Sequence, residues 1–246
     1  MQIGSAAAMR LTLLTGVILL AAAPSRAIPF TMEVLQNGTS VATLNETALG
    51  CASTGTDTAH CTGSNIPAGS ELVITSLDMN IADPSINGTV AIENNTNFDQ
   101  TITVIFSLPV GAIGPSTVTG GSVAGGVTDN DGNTATLSTT GPGSALYTAL
   151  IDGAVWQTLF PHLTTVSASG YLSNDLPSGA AFGTPIPSLP GPAVVNKIGI
   201  QYDFNLTAHD AASFTGVFVV SPVPEPSTAV LTGLGLLGLA TAARRR

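Results

Sequence analysis

Lys197-Ile198-Gly199-Ile200-Gln201-Tyr202-Asp203-Phe204-Asn205-Leu206-Thr207 decides the fold class. Ile198, Ile200, Tyr202, Phe204 and Leu206 occupy alternate positions, with Lys197, Gln201, Asp203, Asn205 and Thr207 on the opposite parity. Side chains of a strand alternate between its faces, so this run predicts a strand with one face in a core and the other in water. Working outward, Thr101–Leu108 repeats the pattern, with Ile102, Val104, Phe106 and Leu108 on one face. Thr89–Glu93 reads as its hairpin partner, with Asn94–Asp99 as the connection. Ser213–Val220 follows a turn at His209-Asp210. Further strands are expected at Phe30–Gln36, Glu71–Met79, Val123–Thr128, Thr134–Ser138 and Thr164–Leu172.

No window of this region repeats at the helical period. Ala145–Leu159 is the least regular and admits a short helix, and the Pro- and Gly-rich run Pro177–Pro192 predicts a long loop. Turn residues recur about every 8–12 positions, the spacing of a sandwich or barrel. The expectation is a mainly β protein, with a single β-sandwich-like domain over residues 28–221.

Charge narrows the function classes. Charged residues are 9% of the 246-residue chain, against roughly 25% in ordinary soluble proteins. Between Ile28 and Val223, fourteen Asp or Glu against one Lys and no Arg leave a formal charge of −13. Phosphate neutralisation needs cationic side chains, so nucleic-acid binding is excluded.

Both ends carry addresses. Arg10, the apolar run Leu11–Ala23 and the exit Ser25-Arg26-Ala27 form a secretory signal over residues 1–27, with cleavage after Ala27. Cys51 and Cys61, the only cysteines, fit export as a disulfide. Closing so small a loop contributes about 2.5–3 kcal/mol in the chain-entropy model. Zinc is the rival reading, but His60 beside Cys61 points the other way on an extended chain.

Asp129-Asn130-Asp131-Gly132-Asn133 sets oxygen side chains at alternate positions around a glycine. This reads first as turn chemistry. The alternative is calcium at Asp129, Asp131 and Asn133, although no acid follows where an EF-hand needs one. No other cofactor is expected. His60, His162 and His209 share no metal-ligand spacing, and Ser122 in Gly120-Gly121-Ser122-Val123-Ala124 lacks the second glycine of a hydrolase elbow. The expectation is a protein that is not an enzyme. Asn37, Asn45, Asn87, Asn94 and Asn205 each open an N-x-T triplet, a glycosylation acceptor only in a host with that machinery.

Residues 222–246 hold Pro224-Glu225-Pro226, an uncharged run Ala229–Ala243 and the terminal Arg244-Arg245-Arg246. The glycines at 233, 235 and 238 imitate a dinucleotide fingerprint but lie inside this apolar run, without the strand and acid the fingerprint needs. As a helix the run spans about 22 Å, short of the roughly 30 Å bilayer core. The arginines hold the cytoplasmic side as a membrane stop. The two prolines stiffen an extended lead-in that keeps Glu225 clear of the helix.

Val223-Pro224-Glu225-Pro226-Ser227, the Gly- and Leu-rich run after it and the closing arginines resemble the PEP-CTERM sorting signal of Gram-negative bacteria. The resemblance implies transient anchoring in the inner membrane by the C-terminal helix, then recognition and removal of the tail by an exosortase. Signal peptidase would act at the other end. The resemblance further implies delivery to the cell surface or extracellular matrix of a host that forms exopolysaccharide or biofilm, with exopolysaccharide as a partner. Within that setting the acidic domain reads as structural or adhesive, and the alternative is a carbohydrate-binding sandwich, with calcium-dependent binding.

Overall fold

A computed structural model describes residues 29–161, 164–223 and Thr232. Among these residues the chain builds two antiparallel sheets. The eight-stranded sheet holds β1 (Thr31–Gln36), β2 (Thr39–Asn45), β8 (Gln100–Pro109), β10 (Thr134–Ser138), β11 (Ala145–Ile151), β12 (Ala154–Pro161), β13 (Thr165–Ser169) and β17 (Lys197–Leu206). The ten-stranded sheet holds β3 (Cys51–Gly55), β4 (Thr58–Gly63), β5 (Ile66–Pro67), β6 (Leu72–Ala82), β7 (Ser85–Asn94), β9 (Thr117–Thr128), β14 (Ser173–Asp175), β15 (Ala180–Phe182), β16 (Leu189–Gly191) and β18 (Ala211–Pro222).

The two sheets bury their apolar faces against each other. Ile198, Ile200, Tyr202, Phe204 and Leu206 of β17 are all buried, as are Ile102, Val104, Phe106 and Leu108 of β8. Facing them, β18 buries Phe214, Phe218 and Val220. Each such side chain contributes about 1.5–3 kcal/mol. Tyr202 stacks on Phe214 with ring centroids 4.9 Å apart. Glycine makes that approach possible, because a Cβ at Gly216 would lie 2.1 Å from the Tyr202 hydroxyl oxygen. Tyr147 reaches across in the same way and donates its hydroxyl to the Val217 carbonyl at 2.8 Å. Burial pushes both phenols well above their ordinary range. Along one side Trp156 of β12 closes the gap between the sheets, its indole N–H donating to Thr119 Oγ1 of β9 at 3.0 Å.

Three expectations need correction. Thr89–Glu93 is not the hairpin partner of Thr101–Leu108: β7 pairs with β6 and β18, whereas β8 pairs with β1 and β17 in the other sheet. Ala145–Leu159 holds no helix but the antiparallel pair β11 and β12, turned at Asp152-Gly153 with both residues at positive φ. Every residue of β11 is buried, so the alternation that marks a half-exposed strand is lost. Pro177–Pro192 is not wholly loop. It lays β15 and β16 along the outer edge of β9 in short pieces, which blunts an edge that would otherwise pair with another chain.

Cys51 and Cys61 are disulfide-bonded and sit opposite each other in the β3–β4 hairpin. His60 faces away from them and meets Asp78 at 2.8 Å, so the zinc reading fails. The signal at 1–27 with Ala27, His162, the motif Pro224, Glu225 and Pro226, and the stop Arg244, Arg245 and Arg246 lie outside the described residues. Among the described residues no helix is long and apolar enough to cross a membrane.

Candidate functional site

Strand direction gives the sandwich two unlike ends. β8 runs from Gln100 to Pro109 and β17 runs back, pairing Lys197 with Pro109 and Leu206 with Gln100. At the Gln100 end four connections cross from one sheet to the other: 95–99, 129–133, 170–172 and 207–210. These arches are fastened to one another by polar side chains, because their backbone groups have no ladder to join.

Asn94 is the central fastener. It is fully buried, and its side-chain N–H groups donate to the carbonyls of Phe98 (2.9 Å), Leu206 (3.2 Å) and Thr207 (3.0 Å). Its side-chain oxygen accepts from the Thr96 N–H at 3.1 Å. An N-x-T asparagine so engaged is a structural residue. Nearby, Asn97 Oδ1 meets His209 Nε2 at 3.0 Å, joining two arches.

The acidic run settles beside them. Asp129, Asp131 and Asp210 bring one carboxylate oxygen each to within 4.8 Å of the others. Asp129 and Asp210 are each only 1% exposed. Asp129 accepts from the Gly132 N–H at 2.8 Å and the Tyr171 N–H at 3.2 Å. Asp131 accepts from the Asn133 N–H at 2.9 Å and the Asn133 side-chain amide at 2.8 Å. Asp210 accepts from the Asn130 N–H at 3.2 Å and from the Thr207 hydroxyl. That hydroxyl in turn accepts the Thr136 N–H at 2.8 Å, which ties β10 to the arch.

The proton affinities of Asp210 and Asp131 diverge. Burial pushes Asp210 up, Thr207 and Asn130 pull it down, and neighbouring Asp131 and Asp129 push it up again, leaving it above the usual carboxylate range. The Asn133 N–H holds Asp131 below that range against a smaller effect of burial, with the Asn133 amide, a side-chain hydrogen bond with Asp129 and the His209 charge adding to it.

The structure therefore brings Asp129 and Asp131 of the residues read from the sequence together and adds Asp210. Asn133 lies against Asp131, donating its N–H and its side-chain amide to that carboxylate. Asp210 was not legible as a partner, since it lies on a connection far along the chain. As donors, the three carboxylates are the hard oxygen ligands that calcium takes. Every one of their oxygens already accepts one hydrogen bond, which leaves about one lone pair on each for an ion.

Two aromatic side chains stand out from this end. Phe98 is 74% exposed and Tyr171 70%, with Leu172 beside it at 65%. Tyr171 has φ 62 and its ring lies over Gly132, where a Cβ would come within 2.6 Å of ring carbons.

At the opposite end, β18 runs to Pro222, and the Val223 N–H donates to the Ser116 carbonyl at 3.0 Å. β1 begins there too, since Thr31 pairs with Ser107 near the end of β8. Asp152 ties the β11–β12 turn to the chain entering β17 by accepting from the N–H groups of Val195 (2.9 Å), Asn196 (2.6 Å) and Lys197 (3.1 Å). A cleft of about 360 Å³ on the ten-stranded sheet is lined by Asp175, Ser178, Ser213 and Thr215. A second cleft, of about 200 Å³ on the eight-stranded sheet, is lined by Glu33, Ile105, Lys197 and Gln201.

The chain is a mainly β protein whose two sheets form a sandwich-like fold. Residues 222–246 match the family model described as the PEP-CTERM protein-sorting motif, so this is a PEP-CTERM domain-containing protein. The motif supports an exported protein sorted by an exosortase, and it implies membrane association during processing. No curated protein matches the chain. A solved structure titled "Structure of infectious bursal disease virus Gx strain" aligns over 87% of this chain and 59% of its own, at 12% identity, with a TM-score of 0.19. That score is too low to place the two in one fold.

Proposed function

We propose that this is a non-enzymatic envelope or extracellular-matrix protein, structural or adhesive, released to the surface of a Gram-negative bacterium that forms exopolysaccharide or biofilm. The observation that carries this reading is the sorting motif beginning where β18, a strand paired on both sides within the sandwich, ends. A folded acidic body is thereby joined directly to a removable tail. Its surface carries water on hydroxyls and amides, as Thr89 and Thr215 do on the outer face of the ten-stranded sheet, 2.8 Å apart.

Intact-mass analysis of the protein from its native host tests the route. The expected chain begins at Ile28 and ends between Pro224 and Ser227; a retained Arg246 would overturn it. Removing residues 229–246 should change where the protein is found without unfolding residues 28–221. Deleting the whole chain should weaken attachment or matrix cohesion, and unchanged attachment removes the adhesive role.

The second reading is a carbohydrate-binding sandwich whose binding depends on calcium, favoured by the convergence of Asp129, Asp131 and Asp210. It requires glycan binding that chelator abolishes and a Tm that calcium raises. Melting that is indifferent to calcium removes the ion from the account.

A further inference from the structure

We propose that the arch end of the sandwich is a contact surface for an uncharged glycan, whose sugar rings stack on Phe98 and Tyr171. This deepens the matrix reading above and rests on it for the setting, but not for the contact itself. The positions come first. The described chain enters at Pro29 and leaves at Val223 at the same end, beside Ser107 and Ser116. β18, about 40 Å long at strand rise, carries the fold from there to the arches. A protein held by its C-terminal tail therefore presents the arches away from the point of attachment.

The chemistry comes second. Phe98 and Tyr171 occupy different arches, and neither takes part in the ring contacts that fill the core with Phe106, Tyr202 and Phe214. A protein partner needs a contiguous patch of roughly 800 Å² per side. Phe98 on one arch and the neighbours Tyr171 and Leu172 on another, set among amides and carboxylates, fall short of that. They match a sugar chain instead, in which apolar ring faces alternate with hydroxyls. The rings would lie on Phe98 and Tyr171, and the hydroxyls would meet Asn97, His209 and Asn130 around them. Tyr171 is held for such a role: the Asp129 carboxylate fixes its N–H, and its ring lies over Gly132. The −13 charge of residues 28–223 opposes anionic polymers, which leaves uncharged ones.

The test is co-sedimentation of the full chain with insoluble neutral glucan, mannan and galactan, with alginate as the anionic comparison. Binding to at least one neutral polymer and none to alginate is expected. Phe98→Ala and Tyr171→Ala should each weaken binding at least tenfold, while Tyr171→Phe and the exposed control Val155→Ala keep it. Melting curves accompany each variant; Phe98, the more exposed of the two, gives a decisive answer if Tyr171→Ala loosens its arch. No binding to any neutral polymer overturns the proposal, as does binding that both alanine variants retain or that Val155→Ala also loses. Sedimentation without polymer that disappears in the same variants would show that the surface pairs copies of the chain, and also overturns it. Correct delivery in the cell with no binding here would remove this inference and leave the sorted matrix protein standing.

Discussion

The two ends of the sandwich solve the same problem with different chemistry. Both must finish strands and satisfy the backbone groups released there. At the end holding Asp152 a single residue does it: one carboxylate on the β11–β12 turn accepts three consecutive N–H groups where the chain enters β17. The arch end does it with several interlocking pairs, Asn94 with Leu206, Thr136 with Thr207, Asn130 with Asp210. A single-residue device can fail alone. A shared one fails together, so the arch end should respond more strongly and more cooperatively to single changes.

The largest expected effect is at Asn94. Asn94→Ala leaves the buried Leu206 carbonyl and the half-buried Thr207 carbonyl without the amide that donates to them, and should cost about 3 kcal/mol by urea unfolding. Gly132→Ala comes next, at about 1–2 kcal/mol, because φ there is +85 and the new methyl meets the Tyr171 ring. The same variant should increase hydrogen exchange at the Tyr171 N–H. Asp152→Ala should cost about 1 kcal/mol, reduced by its exposure to solvent, and should leave exchange in the arches unchanged. Equal losses in Asn94→Ala and Asp152→Ala would break the contrast.

The smallest effect is in the pH dependence, and its sign differs between the ends. Asp210 is held above its ordinary value of 3.8 in the fold, so acidification from above that raised value down to 3.8 protonates the folded state first and adds stability. At Asp152 burial pushes up, but the N–H groups of Val195, Asn196 and Lys197 and the Lys197 charge outweigh it and hold the carboxyl below 3.8. Its contribution is present above 3.8 and is lost as pH falls through the lowered folded value. Urea midpoints followed with pH should therefore lose a rise on acidification in Asp210→Asn and lose a fall in Asp152→Asn. Shifts of the same sign would contradict the assignment of either group.

Much of the fold was legible because alternation reports burial directly. Ile198 to Leu206 and Ile102 to Leu108 read correctly from the pattern alone. The slip in β6 was not legible: its register shifts between Ile74 and Ser76, which moves Leu77, Met79 and Ile81 to the opposite parity from Leu72 and Ile74. β11 was ambiguous because Leu146, Thr148 and Leu150, of opposite parity to Tyr147, Ala149 and Ile151, are buried as well. At the candidate site Asp129 and Asp131 stood out by their spacing around Gly132. Phe98 and Tyr171 gave no signal, since an exposed aromatic and a buried one look alike in a sequence.

The sequence by itself determined the faces of β8 and β17, the Cys51–Cys61 pair and the sorting motif at 222–246, because each depends on neighbours along the chain or on a fixed order of residue types. Only the tertiary structure decided which sheet each strand joins. Alternation records that a side chain is buried but not against what, so β7 and β8 looked like a hairpin although Asn94 to Asp99 carries the chain between sheets. The same limit hid the meeting of Asp210 with Asp129 and Asp131 and the separation of the two ends. These follow from where antiparallel strands turn, and that is set by packing across the core.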